Sequence, residues 1–87
     1  MKEKIDLEWY RIFILNELRD FETTNCDERN DAYLFVCRAV EDLDVTDEIK
    51  VDLNEILQDT ETFVYDKYLK MLVVINKVQQ KEIKENI

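Results

Sequence analysis

Glycine, proline and histidine are all absent from the 87 residues. At average usage a chain of this length would hold about six glycines and four prolines. Without glycine, a phosphate-cradling loop, a nucleophile elbow and a type I′ hairpin turn lose the residue that lets the backbone pass where a Cβ would clash. Without histidine, the commonest general base and the commonest neutral metal ligand are missing. Long apolar runs are also missing. The run from Met71 to Ile75 is far short of the roughly 20 residues that a bilayer demands, so no membrane partner is expected. Between Met1 and Leu15, Asp6, Glu8 and Arg11 interrupt the apolar residues, and no secretory signal is expected there. The expected location is therefore the cytoplasm of a bacterial host cell. Cysteine is scarce: Cys26 and Cys37, if on one helix, lie about 16 Å apart, whereas a disulfide needs Cα atoms within about 7 Å. Cys37 reads as a buried or half-buried small hydrophobe.

What is present is apolar and acidic. Hydrophobic residues make up 46% and charged residues 38%, with 21 acids against 12 bases and a net charge of −9. That is too apolar for disorder and too acidic to seek nucleic acid by charge. Residues 1–87 are expected to form one domain.

With no helix breakers, helix is the default, and the apolar spacing agrees. Leu7, Tyr10, Ile14, Leu18 and Phe21 share one face of a first helix from Asp6 to Phe21. Glu22 to Asn25 reads as a loop, because two threonines and an asparagine compete locally with helical hydrogen bonding. Asp27 is the expected N-cap of a second helix whose core face is Ala32, Tyr33, Val36, Ala39, Val40 and Leu43. Thr46 caps the third segment, followed by Asp47 and Glu48 at the positive end of the helix dipole. An apolar stripe of Ile49, Leu53, Ile56, Leu57, Thr60, Phe63, Val64, Tyr68, Met71, Val74, Ile75 and Val78, without a phase change, predicts one long helix from Asp47 to Gln80. Asp59, Thr60 and Thr62 are weak helix formers and mark the place where it would break. The fold class is thus all-α, a three-helix bundle with a long C-terminal helix, or four helices if that helix breaks near Asp59. Residues 81–87 are expected to fray.

Two features exceed what a bundle needs. The first is a second apolar seam: Ile5, Trp9, Ile12 and Phe13 on the first helix, and Tyr65, Leu69, Leu72 and Val73 on the last. Apolar residues outside the core face mark contacts, here most simply those of a homodimer. The second is uneven charge. Residues 17–66 carry sixteen acids against four bases. Within them Glu48, Asp52, Glu55, Asp59 and Asp66 align as an acidic ridge on the predicted long helix. A surface of one sign steers a basic protein partner and repels anions. One carboxylate per about 5 Å of helix is too sparse to mimic duplex DNA, which has one charge per roughly 1.7 Å.

Sites of chemistry are not expected. Asp42, Asp44, Thr46 and Asp47 begin like a calcium loop, but Asp47 stands where a glycine is needed and Leu53 where a bidentate glutamate belongs. Two cysteines without histidine leave a zinc site half filled, so neither metal nor cofactor is expected. Tyr33, Tyr65 and Tyr68 read as core or seam residues with their hydroxyls at water. Lys67, Lys70, Lys77, Lys81 and Lys84 sit toward the negative end of the last helix and do not make a nucleic-acid surface.

The expected function is non-catalytic: binding to a larger basic protein and blocking or modulating it. In character the chain is similar to the small acidic inhibitors of phages and mobile elements, such as anti-CRISPR and anti-restriction proteins, immunity proteins and antitoxins. The likeness is one of character, since no motif of a particular family stands in the sequence. The alternative is a structural subunit or assembly adaptor working through the second apolar seam.

Overall fold

The computed structural model describes residues 4–23 and 25–85. Its elements are α1 (Leu7–Arg19), α2 (Cys26–Ala39), a single 3-10 turn at Val40–Asp42, α3 (Asp47–Gln58) and α4 (Val64–Glu85). Among the described residues the all-α bundle therefore has four helices. The unbroken helix from Asp47 to Gln80 is corrected to a hairpin of α3 and α4, divided at Asp59. The break has a local cause. The Asp59 carboxylate accepts the Glu61 backbone N–H at 2.9 Å and the Thr62 hydroxyl, so the side chain closes a turn that a continuing helix would have denied it.

Two caps show how sequence sets the other starts. The Thr46 hydroxyl accepts the Ile49 N–H at 3.4 Å, as its position before Asp47 and Glu48 implies. For α2 the cap is Asn25 rather than Asp27. The Asn25 side-chain oxygen accepts the Glu28 N–H at 2.8 Å, and Asp27 falls in the first turn, where it still suits the dipole. At the other end of the chain α4 extends through Glu85, beyond the expected helix end at Gln80. Its last turns are rich in Lys, Glu and Gln, which are good helix formers. Residues 86 and 87 lie outside the described residues.

The core joins all four helices. Leu7, Tyr10 and Ile14 of α1 meet Val36, Ala39 and Val40, then Leu43, Leu53 and Leu57, and Tyr68, Met71, Leu72 and Ile75 of α4. The expected faces supply this set, with Leu72 added and Thr60 and Phe63 left at the surface. α1 runs antiparallel to α4: Glu8 accepts a hydrogen bond from Gln79 at one end, and Phe21 meets Tyr65 edge to face at the other. Tyr10 ties α1 to α2 by donating its buried hydroxyl to the Val36 carbonyl at 2.7 Å. Ahead of α1, Ile5 bonds through both backbone groups to the strand-like segment at Leu43, donating to Asp42 O at 2.7 Å and accepting from Asp44 N at 3.0 Å.

Candidate interaction surfaces

The hairpin redistributes the acidic ridge. Glu48, Asp52 and Glu55 remain together and exposed on one side of α3. Asp59 leaves the ridge, because it is half-buried and occupied with Glu61 and Thr62, whose hydrogen bonds lower its pKa. Asp66 is exposed but belongs to α4, next to Phe63 and Lys70. Among the described residues there are three ion pairs, Lys4–Asp44, Glu8–Arg11 and Arg19–Asp20. None of them reaches Glu48, Asp52, Glu55 or Asp66. Lys50, the cation within α3, donates instead to the Glu41 carbonyl at 2.9 Å. The three α3 carboxylates thus share a side of their helix, and none has an ion-pair partner among the described residues.

The second seam separates into two parts. On the α2 edge of α1, Trp9 stacks on Phe13 with centroids 5.6 Å apart, and both rings contact Phe35, at 6.0 and 5.0 Å. On the α4 side, Ile12 and Leu15 of α1 and Leu69 and Val73 of α4 are exposed. Helical geometry places these four on the outward side of the α1–α4 pair. Leu72 lies between them and is only 9% exposed. It therefore belongs to the core that joins α1 and α4, not to the seam. Tyr65 stands apart against Phe21, where Arg29 also lies over the Phe21 ring at 4.7 Å. Ile5 and Phe13 are half-buried.

Comparison with protein-family models, curated proteins and solved structures finds no match to this chain. Its surfaces are therefore read from their own chemistry. No group of three or more Cys, Asp or Glu among the described residues is placed to hold a metal ion. No described helix is long and apolar enough to cross a membrane.

The most unusual polar group is Lys67, buried at 7% exposure. Its ammonium donates to the Leu57 carbonyl at 2.9 Å and to the Tyr33 hydroxyl at 3.0 Å, while that hydroxyl donates to the same carbonyl at 2.8 Å. The break after α3 leaves the last carbonyls of that helix without intrahelical donors, and a lysine from the next helix supplies one at the negative end of the dipole. Lys67 is therefore a cap for α3, not one of the tail cations, and the Tyr33 hydroxyl faces inward instead of water. Burial pushes the pKa of the Tyr10 and Tyr68 hydroxyls well above the ordinary tyrosine range. Cys37 is a half-buried free thiol.

Phe35 and the Lys67 node were not singled out by the sequence. Phe35 lies between Leu34 and Val36 in an apolar run, and both Leu34 and Phe35 are exposed while Val36 is buried.

Proposed function

We propose that this chain is a non-catalytic binding protein that docks on a larger protein with a basic contact surface and blocks or modulates it. The observation that carries the reading is the unneutralised side of α3, where Glu48, Asp52 and Glu55 are exposed and none has an ion-pair partner among the described residues. Like charges three and four residues apart weaken a helix by a few tenths of a kcal/mol per pair. A basic partner would remove that repulsion and be steered by the net charge of −9. In character this remains the profile of a phage or mobile-element inhibitor acting in a bacterial cytoplasm. The test compares capture from extract of the native host by the wild-type chain and by the triple variant Glu48→Lys, Asp52→Lys, Glu55→Lys, at low and physiological salt. The expected result is one dominant basic protein retained by the wild type, weakened by salt and lost with the triple variant. Equal retention by the reversed chain would count against the α3 side as the working surface.

A second reading rests on the aliphatic ribbon of Ile12, Leu15, Leu69 and Val73, which are 39 to 53% exposed. In this reading the ribbon seats a second copy, and the chain serves as an assembly subunit. Sedimentation at micromolar concentration would then show twice the 10.6 kDa chain mass, and the pair Leu69→Asp and Val73→Asp would return it to monomer. A wild-type monomer at that concentration removes the reading.

A further inference from the structure

The aromatic edge of α1 is more than an uncovered apolar patch. Ile5, Asp6, Trp9 and Phe35 line a notch of about 370 Å³, near the lower end of the range for ligand cavities. Phe13 follows Trp9 by one helical turn and stacks on its indole with 21° between the planes. Ile5 and Asp6 precede Trp9 by a similar distance along the chain. One face of the indole is thus covered by Phe13, and the indole is also part of the notch lining. The Phe35 ring stands at 73° to the indole, so two aromatic walls meet at a steep angle above an aliphatic floor. The floor is held in place, because both backbone groups of Ile5 are bonded to the segment around Leu43.

The lining of the notch is almost wholly apolar, and Asp6 is the charged residue at it. Asp6 occupies the N-cap position of α1, yet its side chain makes no capping hydrogen bond. It is exposed and forms no ion pair among the described residues. Asp42 and Asp44 flank the residue bridged to Ile5 and add negative charge, against which Lys4 pairs with Asp44. The α1 dipole opposes a cation here, but its end is worth only about half a positive charge, less than the full charge of Asp6. An indole face, a second ring and an unpaired carboxylate together select a flat cation with an apolar stem. A guanidinium stacks on aromatic faces and forks onto carboxylates, whereas an ammonium is a compact and strongly hydrated point charge.

We propose that this notch captures an arginine side chain of the partner, with the guanidinium stacked on Trp9 and forked onto Asp6 and the methylenes against Ile5 and Phe35. The inference rests on the reading of a basic partner and names one of its contacts. Trp9 is the only tryptophan in the chain, so a single indole N–H resonance reports on the site. The experiment titrates ¹⁵N-labelled protein with a capped glycine–arginine–glycine peptide at fixed ionic strength, and in parallel with the lysine analogue. Arginine should displace the Trp9 resonance saturably and lysine more weakly. Asp6→Asn should weaken the arginine response about fivefold, the upper scale of an exposed ion pair, and Phe35→Ala about threefold, because the methylenes lose apolar contact. Both changes are at exposed positions, and the remaining amide resonances verify the fold. A Trp9 resonance that does not respond, an equal response to lysine, or an Asp6→Asn variant that binds like the wild type overturns the proposal. The two readings fail separately. Loss of the notch response with partner capture still dependent on α3 removes the arginine site alone. An intact notch response with capture indifferent to α3 reversal removes the α3 reading alone.

Discussion

At the corner between α3 and α4, a buried lysine, a tyrosine hydroxyl and a backbone carbonyl bond to one another, and the Asp59 carboxylate closes the turn beside them. On the outer side of α1, a tryptophan half in water stacks on rings that are themselves partly exposed. The corner buries the Lys67 ammonium and gives each of its polar groups a partner. The α1 side places apolar groups where water is present and covers none completely. A fold gains from the first arrangement because an unpaired buried carbonyl is costly. It gains little from the second. The comparison separates residues that hold this chain together from residues available to meet another molecule.

The largest expected contrast lies within a single helix. Ile14 is fully buried and Ile12 is 45% exposed, two residues apart on α1. Ile14→Ala should cost about 3 kcal/mol, the scale of a buried aliphatic truncation with its cavity, while Ile12→Ala should stay below about 1 kcal/mol. Denaturant titration of the isolated protein measures both. Equal losses would mean that α1 is buried on both sides in solution, which is what a constitutive dimer through the aliphatic ribbon would produce.

The corner supplies the next largest effect. Lys67→Met keeps most of the stem and removes the ammonium, leaving the Leu57 carbonyl with Tyr33 as its side-chain donor. A loss of about 2 kcal/mol is expected, that of a hydrogen-bonded charge. Tyr33→Phe should lose about 1 kcal/mol. Because both side chains serve one carbonyl, the double variant should deviate from the sum of the two. Additive losses would show that the node is two independent contacts.

These residues also mark how far the sequence could be read. Core faces were legible because burial imposes a 3.6-residue period, and Tyr10, Ile14, Val36, Leu53 and Met71 all fall on the expected stripes. Thr46 was legible because a cap and its acidic first turn lie within three residues. The break at Asp59 was legible only as an option. Both α3 and α4 turn their stripes to one core, and the connection between them happens to preserve the phase, so a hairpin and a single helix leave nearly the same pattern. Lys67 and Phe35 were not legible at all. The acceptor of Lys67 exists only because α3 ends at Gln58, and its second partner comes from α2. Phe35 becomes part of a notch only when α2 packs beside Trp9. The α3 acids could be located from spacing, but whether any cation neutralises them depends on where Lys50 reaches.

The smallest expected effect compares two glutamates of α1 that are shifted in opposite directions. Glu17 is half-buried, and burial, then Asp20 and Glu28, raise its pKa. Glu8 is lowered to about 2 by its hydrogen bonds to Arg11 and Gln79. A carboxyl with a raised folded pKa binds its proton more tightly in the native state, so the stability it contributes falls as pH rises through its unfolded value of 4.5 toward the folded one. Glu17→Gln removes that penalty and should raise Tm at pH 7 by about 2 °C, the scale on which a few tenths of a kcal/mol moves a small domain. The gain should vanish below about pH 4, where the carboxyl is protonated in both states. Glu8 works with the other sign. Its contribution is present above the unfolded value of 4.5 and is lost as pH falls toward 2, so Glu8→Gln should lower Tm at pH 7, with the deficit closing on acidification. Thermal unfolding from pH 2 to 7 reads both variants. If Glu17→Gln is destabilising at pH 7, then Glu17 is paired with a cation in solution, and the acidic end of α1 is not the like-charge cluster that its neighbours Asp20 and Glu28 imply.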